Sequence, residues 1–164
     1  MSKHTGMDDK ALPKLPSMNG RKIAIISTAW NRQVLSKLEQ GALDTLQEYH
    51  ISPQDIDLSI VPGAFELGFA SKKIKSMGKH DAIICLGCII KGETPHDVYI
   101  CNAVSSGIMQ LNLDDEAPHI PVIFGVLTTN DEAQALERAG GRVGNKGSEA
   151  ALAALHMIQF NKSI

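Results

Sequence analysis

The stretch DAIICLGCIIKG, residues 81–92, decides the fold, because it is apolar without interruption from 82 to 90. A strand that is apolar on both faces is typical of the centre of a parallel sheet, where helices cover both sides. The residues that follow, GETPHDVY (92–99), contain a glycine, a proline and several polar side chains. They predict that the central strand ends in a turn, and that the turn leads into a helix.

Two kinds of apolar pattern alternate along the rest of the chain. Short β-branched runs predict strands on either side of the central one in sequence, at 22–28, 56–63 and 121–129. Apolar residues at helical spacing predict helices at 31–50, 64–78, 98–113 and 146–160. Strands that alternate with helices predict βαβ units. We therefore expect an α/β fold, a three-layer α/β/α sandwich around a four-stranded parallel sheet with flavodoxin-like topology.

Local signals predict where some of these elements begin and end. Thr129 and Glu132 have the spacing of a capping box, which predicts the start of a fifth helix in NDEAQALERAGG. The pair Gly140 and Gly141 predicts its end. Residues 1–20 are polar and contain two prolines, so they are interpreted as a flexible N-terminal arm that precedes a single domain at 21–164.

Composition excludes several classes of function. The chain has 164 residues, of which 43% are hydrophobic, and a net charge of -2 with a pI near 6.3. Neither the charge nor any basic block indicates a nucleic-acid partner. No apolar run has the ~20 residues needed to span a membrane, and the N-terminus lacks the apolar centre of a secretory signal. We expect a cytoplasmic protein.

Cys85 and Cys88 form a C-x-x-C, which invites a redox or zinc interpretation. Residues three apart in a strand point to opposite faces of the sheet, so the two thiols cannot share a metal ion or form an unstrained disulfide. Free cysteine is also among the most commonly buried residue types. We expect both thiols to pack in the core, and we expect no metal site.

The carboxyl ends of the strands are where ligands bind in an open parallel sheet. Trp30, the only tryptophan, follows the first strand. Pro62-Gly63-Ala64 follows the second and is expected to present unpaired amides at a helix start. The third strand is followed by Gly92, Glu93, Thr94 and His96, and the fourth by 128–130.

A glycine turn at a helix start is a suitable anion site, and histidine can act there as acid or base. The alternatives remain open at this point. A lone loop histidine is more often solvated than catalytic, and the other five histidines are assigned to that class. Trp30 fits the core as well as a ligand platform, and Arg138 and Arg142 fit a solvated helix end. These patterns alone indicate an α/β domain that binds a small phosphorylated or anionic ligand.

Four longer motifs occur in order: VPGAFEL (61–67), GCIIKGETPH (87–96), VIFGVLTTNDEAQALERAG (122–140) and GNKGSEAALAALHMI (144–158). Together they resemble the lumazine synthase family over 22–158. The resemblance implies condensation of 5-amino-6-(D-ribitylamino)uracil with 3,4-dihydroxy-2-butanone 4-phosphate, in the penultimate step of riboflavin biosynthesis. It implies no metal and no organic cofactor.

The same resemblance implies roles for individual residues. His96 matches the proton-transferring histidine and Trp30 the aromatic that stacks on the pyrimidine ring. Phe124 and Arg138 match positions that a neighbouring subunit supplies, with the arginine on the phosphate. The remaining matches fall on substrate-binding positions (Asn31, Ala64, Phe65, Glu66, Cys88, Ile89 and Ile90) and on phosphate-binding positions (Glu93, Thr94 and Lys146).

The sequence departs from the family directly after the histidine, where an aromatic and then an acid are usual. Here the order is His96-Asp97-Val98-Tyr99, which leaves open how the ring is oriented. The family forms pentamers, and the short turn in ERAGGRVGNKG favours the capsid-forming members. A flavin- or lumazine-binding protein and a shell protein on the same scaffold are the alternatives, and the retained His96 and Arg138 favour the enzyme.

Overall fold

The computed structural model describes residues 11–114 and 118–164. Its strands and helices alternate as the apolar patterns predict. The strands of the main sheet are β1 (Ile23–Thr28), β2 (Ile56–Val61), β3 (Ala82–Ile90) and β4 (Val122–Thr129). The helices are α1 (Arg32–Glu48), α2 (Leu67–Met77), α3 (His96–Leu113), α4 (Glu132–Glu137) and α5 (Lys146–Ser163).

The four main strands are all parallel and lie in the order β2-β1-β3-β4. Helices α1 and α5 pack on one face of the sheet, and α2 and α3 pack on the other. This order places β1 and β3 at the centre, with the crossover from β2 to β3 passing over β1. The prediction of a three-layer α/β/α sandwich with flavodoxin-like topology is confirmed.

Strand β3 separates two apolar clusters. Its residues from Ala82 to Leu86 are fully buried, as an apolar run at the sheet centre predicts. Cys85 belongs to the cluster under α2 and α3, whereas Cys88 belongs to the cluster under α1 and α5. The two thiols therefore point to opposite faces and both are buried, which confirms the predicted packing role. Burial raises the pKa of the Cys85 thiol to about 11, against the opposing effect of its hydrogen bond with Ser71.

Helices α1 and α5 approach each other closely at glycines. A Cβ on Gly147 would overlap the backbone carbonyl of Leu38. Asn145 lies at the same crossing: its Oδ1 accepts the amides of Gly147 (2.8 Å) and Ser148 (3.3 Å) at the start of α5. Its Nδ2 donates to the carbonyl of Lys37 in α1 at 2.9 Å. One side chain thus caps α5 and links it to α1.

The predicted capping box at Thr129 and Glu132 is wrong. The N-cap of α4 is Asp131, whose carboxylate accepts the amide of Gln134 at 2.7 Å, while the Thr129 hydroxyl donates to the carbonyl of Asp131. An aspartate competes well for this position because its side chain reaches the third helical amide.

The helix predicted in NDEAQALERAGG is also shorter than expected. It ends at Glu137, and the chain then forms a small antiparallel pair, β5 (Ala139–Gly141) and β6 (Gly144–Asn145). Gly140 and Gly144 have φ of 104° and 86°, which L side chains rarely adopt. The glycines form a tight hairpin here rather than a simple helix stop.

Part of the predicted arm packs on the domain. Met18 is 1% exposed in the cluster under α1 and α5, and its amide donates to the carbonyl of Tyr49 at 2.9 Å. Leu15 packs against the same cluster. The interpretation of 11–20 as a flexible arm is thus wrong at Leu15 and Met18, and residues 1–10 lie outside the described part of the chain.

The prediction that the histidines other than His96 are solvated is wrong for His80. Its side chain is only 7% exposed, and its Nε2 lies 2.8 Å from Oδ2 of Asp57. His50 and His119 are exposed as expected, His156 is half-buried, and His4 lies outside the described residues. A histidine at a strand start can therefore be a paired, buried residue without any link to the site at the opposite edge of the sheet.

Candidate active site

The β1–α1 loop presents Trp30, which is 72% exposed. The loop backbone is tied to β2, because the amide of Ala29 donates to the carbonyl of Val61 at 2.8 Å. Asn31 adopts the left-handed conformation with φ of 56°, and its Nδ2 donates to the carbonyl of Cys88 at 2.9 Å. The loop is therefore fixed to the strands on both sides of β1, while the indole itself projects outward.

The β2–α2 turn lies beside that indole. A Cβ built on Gly63 would stand 3.5 Å from Cδ1 of Trp30 and 3.2 Å from a carboxylate oxygen of Glu66. The amide of Gly63 donates to Glu66 Oε2 at 2.9 Å, so the expectation that this amide is unpaired is wrong. Ala64 and Phe65 begin a 3₁₀ turn, where the first amides of a helix have no partner within it. Phe65 is 62% exposed.

The β3–α3 loop brings His96 to the same edge of the sheet. Helix α3 begins at His96, two residues earlier than predicted, with Pro95 at the N-cap position. Glu93, Thr94 and His96 are exposed. Asp97 follows in the first turn, where its negative charge suits the positive end of the helix dipole. The histidine thus belongs to a helix start rather than to a free loop.

The end of β3 contributes backbone as well as side chains. The Cys88 thiol is buried in the core, and burial, with the negative charge of Glu132, raises its pKa to about 11. The backbone carbonyl of Cys88 accepts the hydrogen bond from the side-chain amide of Asn31. Ile89 and Ile90 are half-buried at the strand end. Cys88 therefore offers the site a fixed carbonyl rather than a reactive thiolate.

These residues form one group at the carboxyl edge of β1, β2 and β3. We call the group the edge patch; its members are Trp30, Asn31, Ala64, Phe65, Glu66, Cys88, Ile89, Ile90, Glu93, Thr94 and His96.

A second group lines a cleft beside the edge strand β4. The cleft has a volume of about 660 Å³ and is lined by Phe124, Arg138 and Lys146 together with residues of β4, α4 and the β5–β6 hairpin. We call these three residues the cleft patch. Phe124 is 36% exposed although it lies in a strand, because it stands on β4, the edge of the sheet.

Arg138 is held by a residue that the sequence did not indicate. Its Nη1 donates to Glu149 Oε1 at 2.8 Å and its Nη2 to Oε2 at 3.0 Å, and Nη1 also donates to the carbonyl of Val143 at 2.6 Å. Lys146 Nζ lies 3.3 Å from the same carboxylate. Three of the five N–H groups of the guanidinium are thus used by described residues, which fixes its plane and leaves two for a ligand.

The electrostatics of this cluster favour an anion. Burial acts to raise the pKa of Glu149, but the hydrogen bonds and positive charges of Arg138 and Lys146 outweigh it and lower that pKa below its ordinary value. The carboxylate therefore stays charged near neutral pH and neutralises one of the two cations. These three side chains together carry a net positive charge, while Arg142, Asp131 and Glu137 also line the cleft.

Phe124 of the cleft patch lies below the edge patch in the sheet. Phe124 pairs in register with Cys85, three residues before Cys88. At ~3.3 Å per residue this places Phe124 about 10 Å below Cys88 and about 17 Å below Ile90, the last residue of β3.

Within the described parts of the chain, no group of three or more histidine, cysteine, aspartate or glutamate side chains could hold a metal ion. The described helices also include none that is long and apolar enough to cross a membrane.

Comparison with known proteins identifies the family. The model of the family described as 6,7-dimethyl-8-ribityllumazine synthase matches residues 20–162. The chain belongs to this family. It is also similar to the 6,7-dimethyl-8-ribityllumazine synthase of Parabacteroides distasonis, with 43% identity over 154 residues that cover 94% of this chain and 92% of that relative.

The family assignment confirms the resemblance carried by the four sequence motifs. The matched residues include every member of the edge patch and of the cleft patch. Both groups thus lie in the part of the chain that is similar to lumazine synthases.

Proposed function

We propose that this chain catalyses the reaction for which its family is named. It is a transferase that condenses 5-amino-6-(D-ribitylamino)uracil with 3,4-dihydroxy-2-butanone 4-phosphate. The products are 6,7-dimethyl-8-ribityllumazine, phosphate and water, and the step belongs to riboflavin biosynthesis. The reaction requires no metal or organic cofactor.

One observation carries the proposal beyond the family match. An exposed tryptophan, a glycine-led turn and a helix start that carries a histidine all lie at the carboxyl edge of the parallel sheet, where ligands bind in this class of fold. A large exposed aromatic surface in a chain with few aromatic residues is a candidate contact for a flat ligand or a partner.

The edge patch supplies the site for the pyrimidine substrate. Trp30 offers a flat face on which the uracil ring stacks, since aromatic rings favour offset stacking. Ala64, Phe65 and Glu66 contact the ribityl chain and the uracil, whose hydroxyl and amide groups suit both free amides and a carboxylate. Asn31, Cys88, Ile89 and Ile90 line the pocket that holds the ring.

Phosphate binding uses both patches. Glu93 and Thr94 form the loop at the start of α3, where backbone amides and the helix dipole favour an anion. Arg138 and Lys146 approach from the neighbouring chain, and the two unused N–H groups of the guanidinium suit two phosphate oxygens. Phe124 from the same neighbouring chain closes the ring pocket.

His96 moves protons in this reaction. Imine formation, phosphate elimination and ring closure each require a proton to leave one atom and reach another, and a positioned imidazole can serve as both acid and base. Much of the remaining rate enhancement comes from holding two substrates in register. The residues of the site therefore divide into one proton-transfer group and many positioning groups.

The division of the site between two patches supports an assembly in which neighbouring chains share active sites. We propose a homopentamer, with further assembly of pentamers into an icosahedral capsid favoured by the short β5–β6 hairpin. The catalytic domain comprises 21–164 and follows an N-terminal segment of which Leu15 and Met18 pack against it. Three free cysteines, two of them buried, suit the reducing cytoplasm.

The test is direct. Purified protein supplied with both substrates should form 6,7-dimethyl-8-ribityllumazine, followed by its absorbance and fluorescence, with one phosphate released for each lumazine. Omission of either substrate is the control. Product formation no faster than in a protein-free mixture would contradict the proposed function.

A further inference from the structure

A cluster of polar side chains lies beneath the loop that carries Trp30. Ser27, at the end of β1, is fully buried, and its hydroxyl donates to Glu39 Oε1. Arg32 binds the same carboxylate through two bonds, from Nη1 to Oε1 at 2.6 Å and from Nη2 to Oε2 at 2.9 Å. We call Ser27, Arg32 and Glu39 the Glu39 clamp. None of its members belongs to either patch.

The clamp includes an unfavourable residue choice at the start of α1. Arg32 is the first residue of that helix, where a cation is disfavoured by the helix dipole, and the first turn contains no acidic residue. The side chain of Asn31 does not cap the helix either, because it donates to β3 instead. A helix start that breaks two common preferences indicates that these side chains serve a purpose outside the helix.

Arg32 stabilises the loop between β1 and α1. Arg32 Nη1 also donates to the carbonyl of Thr28, the last residue of β1, at 3.2 Å. The hydrogen bonding that Arg32 donates to Glu39 is the main reason that the pKa of the Arg32 guanidinium is raised, and burial opposes it. Glu39 is itself mostly buried, with 12% of its side chain exposed. The carboxylate thus holds the guanidinium against the carbonyl of Thr28, where the loop leaves β1.

The clamp completes a set of three anchors. The loop is tied to β2 and β3 by the bonds of Ala29 and Asn31 described above, and the clamp ties it to α1. Because the indole of Trp30 is 72% exposed, its direction is set largely by the backbone from which it projects. Removal of one anchor should therefore affect the direction and motion of the indole more than the core.

We propose that Glu39, acting through Arg32, is a positioning residue that fixes the Trp30 indole for the flat pyrimidine substrate. The inference rests on the proposed function, in which Trp30 is the stacking platform. Because Glu39 lies beneath the loop, we expect it to affect the orientation of the indole and not the proton transfers of the reaction. Small errors in the placement of a substrate-holding group are costly, because reacting atoms must meet within narrow limits.

The first measurement uses Trp30 as its own reporter, since it is the only tryptophan. Glu39→Gln keeps the shape of the side chain and an acceptor for Ser27 but loses the charge that holds Arg32. Time-resolved fluorescence anisotropy of the ligand-free protein should show faster local motion of the indole in Glu39→Gln and in Arg32→Gln. The double variant should add little, because the two residues act as one unit.

The second measurement separates the two substrates. Glu39→Gln should raise KM for the pyrimidine substrate about tenfold, while KM for the phosphorylated substrate stays within about twofold of wild type. Asp44→Asn is the matched control. Its carboxylate lies on the same helix and accepts a hydrogen bond from exposed Gln40 at 2.7 Å, but it has no contact with the loop. It should leave anisotropy and both KM values unchanged.

The outcomes are distinct. Wild-type indole motion and wild-type KM in Glu39→Gln and Arg32→Gln would overturn the inference. Equal loss for both substrates, together with a lower melting temperature and unchanged indole motion, would also overturn it, since that pattern marks a purely structural ion pair. A wild-type protein that makes no lumazine would overturn the proposed function and the substrate half of the inference, whereas the anisotropy would still decide whether Glu39 fixes Trp30.

Discussion

His96 has the proton-transfer role in this account, and its removal separates that role from substrate positioning. His96→Ala should lower kcat by about 100-fold, the ordinary contribution of a general acid or base, while lumazine formation stays measurable. A residual rate is expected because the variant keeps the stacking surface of Trp30 and the residues that bind the phosphate. Steady-state kinetics with both substrates provide the measurement.

His119→Ala is a suitable control, since His119 is an exposed histidine at the opposite end of β4. It should leave kcat unchanged. If His96→Ala retains the wild-type kcat, proton transfer at this site belongs to another group.

Single residues show what sequence reasoning can find in a site. Trp30 and His96 could be nominated because both follow a strand, and ligands bind at the carboxyl edge of such sheets. Glu149 and Glu39 could not, since each acts through a partner: Glu149 contacts Arg138 eleven residues away, and Glu39 contacts Arg32 across seven residues of α1. Pairs of this kind depend on side-chain geometry that no local pattern specifies.

At the scale of elements, the crossing of α1 and α5 is the most sensitive contact to test. Gly147→Ala should lower the free energy of unfolding by about 1–3 kcal/mol, because the added methyl group overlaps the carbonyl of Leu38 and the helices must separate. Urea unfolding at fixed protein concentration measures the change.

Gly107→Ala is the matched control, since Gly107 lies inside α3 and a Cβ there would meet nothing within 4 Å. Alanine is the better helix former by about 1 kcal/mol, so this variant should be at least as stable as wild type. Two equally destabilised variants would indicate that the α1–α5 crossing has no special role.

The elements themselves were largely predictable. The four strands and the longer helices follow from apolar patterns in the sequence, although the central residues of β2 are exposed in this chain. In the region 130–145 the predicted helix is present, but the hairpin after it was missed, because Gly140 and Gly144 permit either a helix stop or a positive-φ hairpin. The choice between them depends on the packing of β5 and β6 against α1, which is not a local property.

At the scale of the whole molecule, we propose that neighbouring chains share each site. The family resemblance indicated that Phe124 and Arg138 come from a neighbouring subunit, and the position of Phe124 well below the end of β3 supports that proposal. Composition and periodicity alone could not reveal this division. The division depends on how far along a strand each residue lies and on contacts between copies of the chain.

The most direct measurement is complementation between two defective chains. Trp30→Ala damages the edge patch and Arg138→Ala damages the cleft patch, so each variant alone should form lumazine slowly. When the two are co-expressed in equal amounts and assembled together, about a quarter of the interfaces should join two intact patches, and activity should approach that fraction of wild type. Mixed assemblies no more active than the average of the two parents would contradict a condensation carried out between neighbouring chains.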